Sequence, residues 1–237
     1  KGLKDVFADQ FYIGAAINED EIRGTDTEGV EILKKHFSSI VAENCMKSEE
    51  IHPEEGVYNF ELADKFVEFG EANDMFIIGH CLVWHNQFCN WMFTDNEGNP
   101  VSKEVFYERM REHIHTVVNR YKDVVYCWDV VNEAIADGGP NPYRNSRLYK
   151  LCGDEFIAKA FQFAREADPK ALLFYNDYNA IIPHKRDNIY NMIKKMKEAG
   201  VPIDGIGMQG HYNVHWDNLK EVDEAIRKYS ELVDVIH

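Results

Sequence analysis

Residues 124–133, Val124-Val125-Tyr126-Cys127-Trp128-Asp129-Val130-Val131-Asn132-Glu133, read as a buried strand that ends on an amide and a carboxylate. β-Branched and aromatic residues dominate the run, and its length suits a strand. Comparable runs flank it: Phe11–Asn18, Ile40–Asn44 and Phe76–Trp84 before, Leu172–Tyr178 and Gly205–His211 after, and a seventh beginning at Val233. Between the later runs, apolar residues fall at helical spacing. Ile157, Ala160, Phe161 and Ala164 define one buried stripe, Ile189, Met192, Ile193 and Met196 a second, and Val222, Ala225, Ile226 and Tyr229 a third. Asp168-Pro169 and Gly200-Val201-Pro202 stop the first two helices. Strands alternating with helices are the mark of βα units around a parallel sheet, and about six and a half units are present.

Such a series either stays an open doubly wound sheet or closes into an eight-stranded barrel. An open sheet usually carries a phosphate-binding glycine loop at its switch point. No strand end here has G-x-G-x-x-G or a Walker lysine motif, which favours an α/β chain of the (β/α)8, TIM-barrel class. Residues 1–237 then form a single barrel domain whose C-terminal part is expected to follow His237, because the chain stops inside strand seven. Asn86 to Pro100, with Gly98-Asn99-Pro100, reads as a long loop after the third strand.

The chain has 237 residues, 41 Asp+Glu and 26 Lys+Arg, for a formal net charge of −15. Long-range repulsion of that sign opposes docking on a polyanion, so nucleic acid is excluded as a partner. No run approaches the ~20 apolar residues that span a bilayer, and Lys1 opens a polar stretch rather than an export signal, so no membrane association is expected. Five cysteines without a C-x-x-C pair suggest neither a zinc framework nor a full set of disulfides. They read as small buried hydrophobes and leave the compartment open.

Polar residues gather where the strands end, and in a barrel the active site lies at those C-terminal ends. Glu43 and Asn44 follow strand two; His80, Trp84, His85 and Gln87 surround strand three; Asn132 and Glu133 end strand four; Asn176, Asp177 and Tyr178 end strand five; Gln209 and His211 follow strand six. One such group is as easily a cap or a salt-bridge member. Five rims together would be hard to desolvate for structural reasons alone. Amides and carboxylates among aromatic faces suit a sugar, whose C–H faces stack on rings and whose hydroxyls need donors and acceptors. Trp84, Trp91, Trp216 and Tyr178 are candidate platforms, while Trp128 inside strand four is assigned to packing. Glycosidic cleavage needs one carboxyl held protonated and a second acting as nucleophile or base. Glu133, after Val130-Val131 and beside Asn132, is the candidate acid. A metal reading competes, with imidazoles from His80, His85, His211 and His215, but Ala15-Ala16-Ile17-Asn18 stands where a metal barrel would carry H-x-H.

The segments Val41-Ala42-Glu43-Asn44-Cys45-Met46-Lys47, Gly79-His80-Cys81-Leu82-Val83-Trp84-His85-Asn86-Gln87, Trp128-Asp129-Val130-Val131-Asn132-Glu133-Ala134, Phe174-Tyr175-Asn176-Asp177-Tyr178-Asn179 and Gly207-Met208-Gln209-Gly210-His211 resemble, in order, glycoside hydrolase family 10, the endo-1,4-β-xylanases. The resemblance implies a retaining double displacement on β-1,4-xylan, with xylan and xylo-oligosaccharides as partners and no cofactor. It makes Glu133 the acid/base, gives Glu43, Asn44, Lys47, His80, Trp84, Gln87 and Asn132 to the glycone sugars, puts Tyr178 and Asn179 on the aglycone side, and has His211 and Gln209 orient the nucleophile. That nucleophile is a glutamate at the end of strand seven in the family. Val235-Ile236-His237 corresponds to the residues before it, so the role falls to no residue here, and a C-terminal remainder of the same protein is expected to complete the barrel. The fragment alone is then expected to be inactive, and a non-catalytic xylan-binding barrel is the alternative. A polymeric substrate implies a secreted, cell-surface or periplasmic protein.

Overall fold

The computed structural model describes all 237 residues. Seven strands, β1 (Gly14–Ile17), β2 (Ser39–Ala42), β3 (Phe76–Trp84), β4 (Cys127–Asn132), β5 (Leu172–Asp177), β6 (Gly205–Met208) and β7 (Val235–Ile236), form one sheet in chain order. Every neighbouring pair is parallel. All six residues of β4 are buried, as expected of a parallel strand covered on both faces. Outside it lie the helices Lys103–Arg120 and Glu155–Ala167, which pack on each other.

Each expected strand is present, and β3 agrees end to end. The others are shorter for local reasons. Phe11 and Tyr12 stay outside β1 because their rings stack on Phe7 and Phe76, and both remain exposed. Val124 and Val125 precede β4 because their amides close a turn on the Tyr121 carbonyl. Strand β6 stops at Met208, and the chain then turns away at Gly210, which adopts φ 62°.

The first two helical stripes are fully buried, on Glu155–Ala167 and Pro183–Glu198. The third is only partly so: Ala225 and Tyr229 are buried on Leu219–Tyr229, whereas Ile226 is 40% exposed. This helix packs mainly against Pro183–Glu198, which leaves the far edge of its stripe in solvent. The segment Asn86–Pro100 is more than a loop. It contains a 3-10 turn, Asn90–Phe93, with Cys89, Met92 and Phe93 buried. Arg109 anchors it by donating to the carbonyls of Trp91 at 2.6 Å and Thr94 at 2.8 Å. No helix is long and apolar enough to cross a membrane.

The sheet is strongly curled. His237, which follows β7, places Nε2 2.8 Å from Oδ1 of Asp129 on β4. Three strand spacings separate those strands, about 14 Å in a flat sheet, so only a sheet curving towards a barrel lets them touch. Large side chains on one strand fill spaces left by glycine on the next. A Cβ on Gly79 would lie 2.2 Å from the Trp128 ring, one on Gly205 would lie 2.3 Å from Phe174, and one on Gly207 would meet both Asn176 and His237. In all, 53 buried apolar residues form one connected core, and all five cysteines are buried and unpaired.

One polar pair lies in that core away from the strand ends. His52 and His113 face each other with Nδ1 atoms 3.0 Å apart, so one donates and the other accepts. Neither Nε2 has a partner. Burial depresses both imidazoles, His52 to about 4 and His113 to about 3. Below an ordinary imidazole pKa of ~6.5 the unfolded chain takes up protons that the folded pair refuses. The associated stability is therefore complete above pH 6.5 and is lost as the pH falls towards the folded values. Replacing His113 by Asn should shrink the difference in unfolding free energy between pH 7 and pH 5 by about 2 kcal/mol. Denaturant titrations at the two pH values check it, and an unchanged difference would refute this account of the pair.

Candidate active site

Register alone brings the central groups together. At the ends of β3, β4 and β5, Trp84 pairs with Asn132 and Asn132 with Asn176, which sets the three side by side. Asn132 is nearly inaccessible, and its side-chain oxygen accepts from Asn176 Nδ2 at 3.0 Å and Gln209 Nε2 at 3.2 Å. Gln209 Oε1 in turn faces His211 Nε2 at 3.0 Å. Amides from the end of β5 and from just after β6 thus converge on one oxygen at the end of β4. Glu133 follows directly, 8% exposed, with Asn132 Nδ2 3.5 Å from Oε2. Its own N–H donates to the Asn176 carbonyl at 2.9 Å.

A second cluster sits beside β2 and β3. Lys47 is buried, and its ammonium donates to Asn44 Oδ1 at 2.8 Å and Gln87 Oε1 at 2.9 Å while lying 4.9 Å from the Trp84 ring centre. Two of the three ammonium hydrogens are used, both on uncharged acceptors. Trp84 and Gln87 also line a hollow of about 220 Å³ with Glu49, Asn86 and Arg147. Glu43 is exposed on the same rim.

Below these groups, Asp129 is held between two imidazoles, His80 Nδ1 at 2.8 Å and His237 Nε2 at 2.8 Å. Burial favours the neutral acid, but the two histidines outweigh it and hold the Asp129 carboxyl well below the usual range. Burial likewise opposes charge on His80, and the Cys81 sulfur together with Asp129 outweighs it, which raises the imidazole above its ordinary value. Neither Asp129 nor His237 was assigned a role from sequence. The signal was present for Asp129, a carboxylate flanked by Trp128, Val130 and Val131 within a fully apolar run.

At the end of β5, Asp177 is fully buried, and burial pushes it up to about 6 against the pull of Lys185 and Tyr175. Tyr175 donates to it at 2.5 Å, and Lys185, 1% exposed, bridges it to Asp137 with two contacts of 2.9 Å. Tyr178 has its hydroxyl committed to Asp137 and Arg144, and the Lys185 ammonium lies 3.6 Å from its ring centre. Lys185 and Arg144 were also missed. A lysine in the first turn of Pro183–Glu198 opposes the helix dipole, which is a legible sign that acidic partners await it. Arg144, in the irregular segment Asn141-Pro142-Tyr143-Arg144, carries no such sign.

The remaining expected residues separate. Asn179 and His211 line a second hollow of about 180 Å³ with Met208, Tyr212 and Trp216. Trp216 is stacked on Tyr212, ring centres 4.0 Å apart. Trp91 is not a platform: its indole donates to the His52 carbonyl at 2.9 Å and its ring packs against Arg109 and the core. No three His, Cys, Asp or Glu side chains are placed to share a metal ion.

The Asp129 clamp has a measurable consequence. Asp129→Asn keeps the shape but removes the charge facing two imidazoles, so the His80 pKa should fall and unfolding should become easier by about 3 kcal/mol. Histidine NMR titration and denaturant unfolding read the two effects, and a His80 titration unmoved by the substitution would disprove the coupling.

Comparison with known proteins gives the family of the chain. The model of the family described as glycosyl hydrolase family 10 matches residues 2–237. An endo-1,4-beta-xylanase/feruloyl esterase of Xylanibacter ruminicola is 58% identical across 100% of this chain, which spans 34% of that protein. Endo-1,4-beta-xylanase B of Paenibacillus barcinonensis is 47% identical over 99% of this chain, which spans 70% of it. Among solved structures, a psychrophilic family 10 endo-beta-1,4-xylanase superposes with a TM-score of 0.95 at 53% identity, covering 100% of this chain and 73% of its own. A structure described as a mutant in complex with xylotriose superposes at 0.94 with 42% identity, covering 100% of this chain and 71% of its own. The strand-end constellation, the curled parallel sheet and a family match over nearly every residue agree: this chain belongs to glycosyl hydrolase family 10.

Proposed function

We propose that the chain serves the endo-acting hydrolysis of β-1,4-xylan by a retaining double displacement, with Glu133 as the general acid/base. The observation that carries the reading is the placement of Glu133: a carboxyl almost closed off from water at the end of β4, beside Asn132, whose side-chain oxygen gathers the amides of Asn176 and Gln209. A general acid must reach the departing oxygen from a fixed position, and a carboxyl held this way among strand-end amides serves that end. The relatives named as endo-xylanases and the structural neighbour that holds xylotriose support the same substrate class.

The roles of the other groups follow from chemistry. Lys47, with one ammonium hydrogen uncommitted, and Asn44, Gln87 and Trp84 around it suit the hydroxyls and C–H face of a sugar on the glycone side. Glu43 adds an exposed acceptor to that rim, and His80, with Nδ1 fixed by Asp129, presents its other nitrogen. Asn132 fits a ring hydroxyl next to Glu133. Gln209 and His211 follow β6, the strand beside β7, where an orienting pair belongs if the nucleophile acts from that strand end; the nucleophile itself is assigned to no residue of this chain. Asn179 and Tyr178 fall on the aglycone side. Action on a polymer too large to enter a cell places the enzyme outside the cytoplasm.

In the full-length protein, Glu133→Ala should lower turnover on xylan by about 10²–10⁴-fold while leaving xylo-oligosaccharide binding in place. Reducing-sugar release and calorimetric titration with xylotriose measure the two. Undiminished hydrolysis would remove Glu133 from the role, and binding without hydrolysis in the parent protein would favour a non-catalytic xylan-binding barrel.

A further inference from the structure

Three residues other than glycine adopt left-handed backbone at successive strand ends: Gln87 (φ 45°), Glu133 (φ 58°) and Asn179 (φ 52°). An L side chain in that region costs about 1–2 kcal/mol, so the surroundings must hold it there. For Glu133 the N–H is held by the Asn176 carbonyl. What holds the carbonyl is Arg144, whose Nε donates to it at 2.8 Å.

Arg144 reaches this point because the chain makes a short excursion after Glu133 and returns. Ala136 N–H donates to the Pro142 carbonyl at 2.8 Å, Ile135 pairs with Tyr143, and Arg144 N–H donates to the Ala134 carbonyl at 2.9 Å. The guanidinium then faces back towards the strand end. Its Nη2 donates to the Tyr178 hydroxyl at 2.8 Å, and Tyr178 continues through Asp137 and Lys185 to Asp177. One fork therefore spans the ends of β4 and β5. A lysine cannot replace it, since a single ammonium lacks the planar pair of arms.

We infer that Arg144 is the positioning residue of the acid/base. It fixes the Glu133 carbonyl, and with it the left-handed backbone that directs the carboxyl into the mouth of the barrel, and it ties that carbonyl to Tyr178. Arg144 touches no reacting atom; it acts through Glu133. The inference rests on the assignment of Glu133 made above. It differs from a plain loop anchor in what it predicts for substrates of unequal leaving group. Where the departing oxygen is a sugar hydroxyl, bond cleavage requires the proton from Glu133. Where it is an activated phenolate, the bond breaks without one.

The test compares Arg144→Met, Arg144→Lys and Glu133→Ala in the full-length protein, on xylo-oligosaccharides and on a dinitrophenyl β-xylobioside. For the aryl glycoside, kcat/KM reports the steps through departure of the phenolate and excludes the later hydrolysis of the glycosyl-enzyme. Arg144→Met should lose about 10²-fold in kcat/KM on xylo-oligosaccharides and less than about threefold on the aryl glycoside, with Arg144→Lys recovering little of the loss. Equal losses on both substrates would reduce Arg144 to a structural anchor, and no loss on either would end the proposal. If Glu133→Ala shows the substrate split and the Arg144 variants do not, only this inference fails; if Glu133→Ala keeps full activity, the assignment beneath it fails. Arg144→Gln, which is shorter and keeps no planar pair of donors at the Glu133 carbonyl, serves if Arg144→Met does not fold. It should show the same split at smaller size, and its absence there would count against the proposal.

Discussion

Asp129 is a carboxylate placed where water does not reach, and the interior of the sheet is organised around keeping it ionised. A lone buried charge is expensive, and the cost is offset only when hydrogen-bonding partners with good geometry surround it. Here the groups come from β3 and from the residue after β7, so satisfying one side chain requires strands four apart in the sheet to converge. Curl, register and small residues all serve that convergence. Gly207 leaves the space through which the His237 ring approaches, and the irregularity between β3 and β4 falls between His80 and Val83, beside the imidazole that must point inward.

Above this charged layer the chemistry changes character. Asn176 and Gln209 both donate to the Asn132 oxygen, and His211 meets the oxygen of Gln209. Amides fix their neighbours by hydrogen bonding without adding a net charge beside Glu133. The ionic layer beside it, Asp137, Lys185, Asp177 and Arg144, is closed on itself: each cation faces at least one carboxylate. Charge is thus used to join strand ends rather than to attract a ligand, an arrangement suited to an uncharged polymer in a protein of net charge −15.

The strand order and the rims were legible because they depend on periodicity and on residue type, both of which are local. Phe76–Trp84 could be bounded to the residue, since it is long, apolar and followed by His85 and Asn86. Phe11–Asn18 could not, because whether Phe11 and Tyr12 join a ladder or stack on Phe7 and Phe76 is settled by partners distant in sequence. The same division separates the site residues. Lys47 and Gln87 lie in recognisable segments. Trp91 is as aromatic as Trp84 yet packs into the core, and only the tertiary placement of His52 and Arg109 distinguishes them. Arg144 is the extreme case: its role arises from a chain reversal whose hydrogen bonds are made by backbone atoms, which leave no mark on residue identity.

Backbone strain offers a way to recover what side-chain identity conceals. Five residues other than glycine have left-handed φ, and they divide by position: Asp74 and Asp123 precede β3 and β4 in tight helix-to-strand turns, whereas Gln87, Glu133 and Asn179 follow β3, β4 and β5. Aspartate is among the residues that tolerate this conformation, so the first pair follows ordinary turn preference. Glutamate and glutamine have no such advantage. Their presence at Glu133 and Gln87 means that the side chain was required there despite the backbone it must adopt, and asking what pays for that conformation leads from Glu133 directly to Arg144.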